Sequence, residues 1–130
     1  MSLSYYFSKT LEIRFDEAVE KVKAGLKEEG FGVLTDIDVR KTLQEKIGVD
    51  FRKYRILGAC NAPFAYKALL AEAKIGTMLP CNVIVQEHID GRVEVAAIDP
   101  PASMQAVQNP ELGTVGLEVR NKLKAVVDRL

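Results

Sequence analysis

Residues 81–98 read CNVIVQEHIDGRVEVAAI. Cys81, Val83, Val85 and Glu87 alternate with Asn82, Ile84, Gln86 and His88, the two-residue period of a strand with one buried face. Asp90-Gly91 supplies the residue types that tolerate the positive φ of a tight turn, and Val93, Val95 and Ala97 recur on one side of a returning strand, Arg92–Ile98. Strands joined this closely run antiparallel, because a parallel pair needs a crossover of a dozen or more residues. The reading of the fold therefore turns on what packs against this hairpin.

Working outward, Tyr5–Leu11 carries aromatics and Thr in partial alternation and reads as a first strand. Phe15, Ala18, Val19, Val22 and Leu26 then recur at steps of three and four, with Glu20, Lys21, Lys23, Lys27 and Glu28 on the opposite face. Asp16 and Glu17 favour the first turn of that helix through its dipole, and Gly30 ends it. Val33–Val39 reads as a second strand, with Val33, Thr35, Ile37 and Val39 on one side and Leu34, Asp36 and Asp38 on the other. Asp38 caps a short helix over Val39–Ile47 that Gly48 stops. A third strand spans Tyr54–Cys60. Asn61 in the N-cap position and Pro63 in the first turn predict a helix over Ala62–Lys74, with Gly76 ending it. Beyond Asp99-Pro100-Pro101 comes a short helix, and Asn109-Pro110 opens the last one, whose buried stripe is Val115, Val119, Leu123, Val126 and Leu130.

The resulting order is β-α-β-(short α)-β-α-β-β-α over one domain, residues 1–130. It predicts an α+β fold in which helices pack on one face of a mostly antiparallel sheet. The bare face would then present residues such as Val33 or Leu34, an apolar set that a second subunit would cover, so a homodimer is expected.

Composition narrows the partners. The chain has 130 residues, 48% of them hydrophobic and 28% charged, which is ordinary for a globular protein. Eighteen Lys plus Arg against eighteen Asp plus Glu leave no net field to gather phosphate backbones or anionic lipid, so neither nucleic acid nor membrane is expected as a partner. No window approaches a membrane span, and no basic segment followed by an apolar run opens the chain, which makes a cytoplasmic location the expectation. The two cysteines, Cys60 and Cys81, form no CxxC and no Cys/His cluster, so they are read as reduced thiols.

Chemistry is sparse. Cys60-Asn61 and Cys81-Asn82 repeat one dipeptide, once where a strand ends and once where the next begins. They are the candidate ligand-binding residues together with Asp99, which sits at a strand end. The plainer reading is a packed thiol beside a capping asparagine, and a proline turn at Asp99. Whether the two thiols meet depends on the chain between them. A helix running back along the third strand would leave Cys81 at the far end of the sheet, whereas six extended residues, Ile75–Pro80, reach about 20 Å and can return it beside Cys60. Glu87 shares a face with Cys81 but lies about 20 Å along the strand, and His88, the single histidine, sits beside the hairpin turn. A Cys/His catalytic pair is therefore disfavoured. Met78, Met104 and the thiols are soft donors without diagnostic spacing, so no metal is assigned. Gly30-Phe31-Gly32 follows a helix and lacks the third glycine of a dinucleotide turn.

The runs Gly58–His88, GACNAPFAYKALLAEAKIGTMLPCNVIVQEH, and Ile98–Met104, IDPPASM, resemble the bacterial and archaeal family called domain of unknown function 302. The likeness extends over the EEGFGVLTDIDV stretch at Glu28–Val39. It implies a small α+β fold, often dimeric, and supplies no activity, cofactor or catalytic residue. The functional expectation is a dimeric binding module with a small-ligand pocket near the two Cys-Asn turns. The alternatives are a thiol-dependent enzyme or redox sensor using Cys60 or Cys81, and an interaction protein with no small-molecule site.

Overall fold

The computed structural model describes residues 4–130. Strands β1 (Tyr6–Leu11), β2 (Gly32–Asp38), β3 (Tyr54–Cys60), β4 (Cys81–Glu87) and β5 (Val93–Ile98) form one sheet in the order β1-β5-β4-β3-β2. Every neighbouring pair is antiparallel. The helices are α1 (Phe15–Glu28), α2 (Val39–Ile47), α3 (Ala62–Ala71), α4 (Pro100–Ser103) and α5 (Pro110–Asp128). This is the α+β arrangement the hydrophobic periods predict.

The core lies between α1, α5 and one side of the sheet. Phe15, Ala18, Val19, Val22 and Leu26 of α1 and Val119, Leu123, Val126 and Val127 of α5 meet Leu57, Ala59, Val83, Val85, Val93, Val95 and Ala97. Each strand contributes alternate residues, and each side chain of Val or Leu size so buried is worth about 1.5–3 kcal/mol. Local signals set the boundaries. Asp38 Oδ1 accepts from the Lys41 backbone N–H at 3.0 Å, Gly48 takes φ 70° after α2, and Gly30 takes φ 85° after α1. Asn109 Oδ1 accepts from the Glu111 N–H at 3.1 Å to open α5.

Two expectations are corrected. The alternation assigned to β2 fails because the register shifts between Val33 and Thr35. Val33 pairs with Ala59 and packs against the core, Leu34 stands unpaired and exposed, and Thr35 and Ile37 turn to the bare face. Neither Val33 nor Leu34 therefore supplies the apolar set imagined there; Tyr6, Ile37, Ile56, Ile84, Ala96 and Ile98 do, by register. The other correction concerns α3, which ends at Ala71. A 3-10 turn over Ala73–Met78 replaces its expected last turn.

The bulge brings β2 close to β3. A Cβ at Gly58 would lie 2.1 Å from Thr35 Oγ1 and 2.7 Å from Pro80 Cγ. The threonine can rotate away, but the proline ring cannot. At the same edge Arg55 donates to both carboxylate oxygens of Asp36 (2.7 and 2.5 Å), and Lys23 Nζ of α1 stands 3.0 Å from Asp36 Oδ2. Arg55 first, then Lys23, holds the Asp36 carboxyl down at about 2, against an ordinary value of 3.8.

Gly58→Ala is expected to lower the unfolding free energy by about 1–3 kcal/mol through overpacking. Urea denaturation reads this, and a variant as stable as the parent would refute the crowding. Asp36, charged in the folded state to lower pH than in the unfolded chain, stabilises above pH 4 and loses that contribution as pH falls toward 2. With solvent reaching the pair, about 1 kcal/mol is expected. In Asp36→Asn the fall in stability between pH 4 and pH 2 should shrink by that amount.

Candidate functional site

The chain leaves β3 at Cys60, runs through α3 and the 3-10 turn, and returns at Cys81 to pair with Ala59. Instead of lying back along the sheet, α3 stands past the strand ends and packs on α5 and on its own turn. Cys60 and Cys81 thus come to the same end of adjacent strands, the outcome the second path would give, although Ile75–Met78 lie in the 3-10 turn rather than in extended chain and it is the placing of α3 that brings the two together. The segment between them closes over a pocket. Its floor is Phe31, Ala59, Cys60 and Cys81, its roof Asn61, Phe64, Ala65 and Ala68, and its far wall Pro100, Met104, Leu112, Val115, Gly116 and Val119, with Leu79 and Pro80 at the side. The pocket, partly open to solvent, holds about 40 Å³ of free space, against the 10–15 Å³ or so that a single water needs.

The lining is carbon and sulfur apart from Asn61 and main chain. Asn61 is buried, at 9% exposure. It opens α3 by position, its main-chain carbonyl accepting from Ala65 N–H at 2.9 Å, but its side chain does not cap the helix. Asn61 Nδ2 instead donates across to the Glu29 carbonyl at 3.4 Å, tying the start of α3 to the end of α1. Both cysteines are free and half-buried. Burial, reinforced by the neighbouring Cys60, pushes the Cys81 thiol up to about 11. A thiol shifted in that direction is a poor nucleophile at neutral pH, since the thiolate is the attacking form.

The five candidate residues divide. Cys60, Asn61 and Cys81 line the pocket together. Asn82 points away from Cys81 to the bare face, as strand alternation requires, where it borders a shallow depression of about 340 Å³ with Tyr5, Tyr6, Tyr54, Ile84, Gln86 and Glu94. Asp99 belongs to neither. Its main chain bonds Tyr5 and Ser103, and its carboxylate lies 3.2 Å from Arg120 Nε of α5, whose guanidinium stacks over Phe7. That ion pair fastens α5 to the end of β5 and to β1. His88 Nε2 lies 3.0 Å from Glu94 Oε1, which also accepts from Gln86 Nε2, a polar network far from the thiols. Among the described residues no three His, Cys, Asp or Glu side chains gather around a common point.

Sequence reasoning missed the greater part of the lining. Phe64, Ala65, Ala68, Leu112, Val115, Gly116 and Val119 carry only helical periodicity, which reads as core. Small residues on facing helices, Ala65 and Ala68 opposite Gly116, are the one trace that a gap remains between them.

A family model described as domain of unknown function DUF302 matches residues 7–130. The fold is similar to the crystal structure of an uncharacterised conserved DUF302 protein from Bacillus stearothermophilus, with a TM-score of 0.89 and 29% identity over 96% of this chain and 97% of that one. No curated protein matches the chain.

The raised Cys81 value gives a direct expectation. At pH 8 its alkylation on the folded protein should run about a hundredfold slower than that of an unfolded thiol of ordinary value 9.0. Intact-mass labelling with each cysteine resolved reads the rate, and labelling of Cys81 at the unfolded rate would overturn the burial argument.

Proposed function

The chain belongs to the DUF302 family, and we propose that this member is a homodimeric, cytoplasmic binding module whose ligand occupies the apolar pocket at the ends of β3 and β4. The observation that carries the reading is the pocket itself, framed by Cys60, Asn61 and Cys81 and lined almost wholly by carbon and sulfur. A pocket rich in apolar surface with a few polar groups is the usual form of a small-molecule site. A thiol enzyme is the weaker reading, because burial raises Cys81 away from the thiolate. Two unpaired cysteines favour a reducing compartment.

Dimerisation through the bare sheet face is the second half of the reading. The protein exposes 8040 Å², whereas a monomer of 14.4 kDa is expected to expose about 6,800 Å². The excess, about 1,200 Å², is larger than the share of about 800 Å² per partner that a standard interface covers. Ile84, Ala96 and Ile98 form a half-buried apolar centre there, ringed by Tyr6, Tyr54, Gln86 and Glu94. That is the apolar-core, polar-rim pattern of an association surface.

A small neutral panel of phenol, toluene and 1-butanol should raise Tm by about 3–6 °C at tenfold excess over Kd, and Ala65→Leu, which fills the pocket, should remove the shift. A panel without effect would dispose of the pocket reading. Ile84→Lys should turn a dimer into a monomer in sedimentation equilibrium while leaving circular dichroism unchanged; a parent protein that sediments as a monomer at 100 μM or so excludes the dimer.

A further inference from the structure

We propose that the pocket takes a small neutral molecule with an apolar body and one hydrogen-bond donor, phenol being the simplest of the class, and that Asn61 Oδ1 receives the donor. The inference rests on the pocket reading above and adds the ligand's chemistry.

Charge is excluded by the lining. No Asp, Glu, Lys, Arg or His borders the pocket, so an ion entering it would lose its hydration with nothing to replace it. A wholly apolar guest is also a poor match, because of Asn61. The residue is nine-tenths buried, its Nδ2 donates to the Glu29 carbonyl at 3.4 Å, and among the described residues no protein donor bonds its Oδ1, which keeps some solvent-accessible surface. A guest without a donor would strip that acceptor of water and leave it unpartnered, a cost that a hydroxyl on the guest avoids. One open acceptor selects one donor.

Size follows from the roof. As it stands the pocket offers about 40 Å³, whereas a cavity of about 150 Å³ accommodates benzene. A ring-sized guest therefore needs α3 to move outward. The helix packs chiefly on α5 and the 3-10 turn rather than on the sheet, and Phe64, Ala65 and Ala68 border the pocket from it. An outward shift leaves the five-stranded sheet and its ladder untouched.

Calorimetric titration of the intact protein with phenol and with toluene tests the idea, since the two have the same size and differ by a hydroxyl in place of a methyl. Phenol is expected to bind about tenfold more tightly, against the order that apolar transfer alone would give. Asn61→Leu should remove that preference, and if that variant fails to fold, the comparison on the parent protein decides. Equal affinities, or tighter binding of toluene, would overturn the donor assignment while leaving a binding pocket in place. Benzoate binding as tightly as phenol would overturn the exclusion of charge. If neither phenol nor toluene binds, this inference and the pocket reading fall together.

Discussion

Antiparallel pairing of β3 with β4, in register from Tyr54 opposite Gln86 to Ala59 opposite Cys81, is the constraint on which the rest of the molecule depends. It fixes both ends of the segment Asn61–Pro80 at neighbouring points. A segment so held can only rise from the sheet and come back, and it does so as α3 and the 3-10 turn. The pocket is the space that this excursion encloses once α5 arrives beside it. Because the two strands also carry Leu57, Ala59, Val83 and Val85 into the main core, the pocket's floor is part of that core, while its roof is held by a second hydrophobic cluster in which Ala68 and Ile75 meet Leu112 of α5.

The sheet divides its labour between faces. Toward α1 and α5 it is dry and aliphatic. On the other side, isoleucines and alanine share space with tyrosines, amides and a carboxylate. The polar residues there are hydrogen-bonded to one another, Arg52 to Gln86 and Gln86 to Glu94, so the face holds its shape without a partner. Charged pairs flank the core, Arg55 with Asp36 between β3 and β2, and Arg120 of α5 with Asp99 at the end of β5.

Most of the fold was legible because it rests on periods. Steps of two in β3, β4 and β5 and steps of three and four in α1 and α5 survive into the structure, and the residues that signal caps, Asp38, Gly48 and Asn109, act as such. What stayed illegible was non-local. The bulge at Leu34 shows only in the pairing of β2 with β3, and no residue near Leu34 announces it. The separation of Asn82 from Cys81 was implicit in strand alternation, yet the repeated Cys-Asn dipeptide grouped them. Asn61 resembled a helix cap, and its side chain found a carbonyl on α1 instead, a partner distant in sequence. The direction of α3 could not be read at all, since both paths fit the chain lengths.

The bulged edge at β2 bears on how copies of the protein can meet. A sheet edge with free backbone groups invites the edge of another molecule, and because a second edge lies at β1, such pairing has no natural end. The unpaired Leu34 breaks the row of donors and acceptors along β2. Growth by strand addition is thereby obstructed on one side, and an open-ended ribbon needs both. Association that uses a face is different in kind: two faces that meet leave no third, so the assembly stops at a finite size.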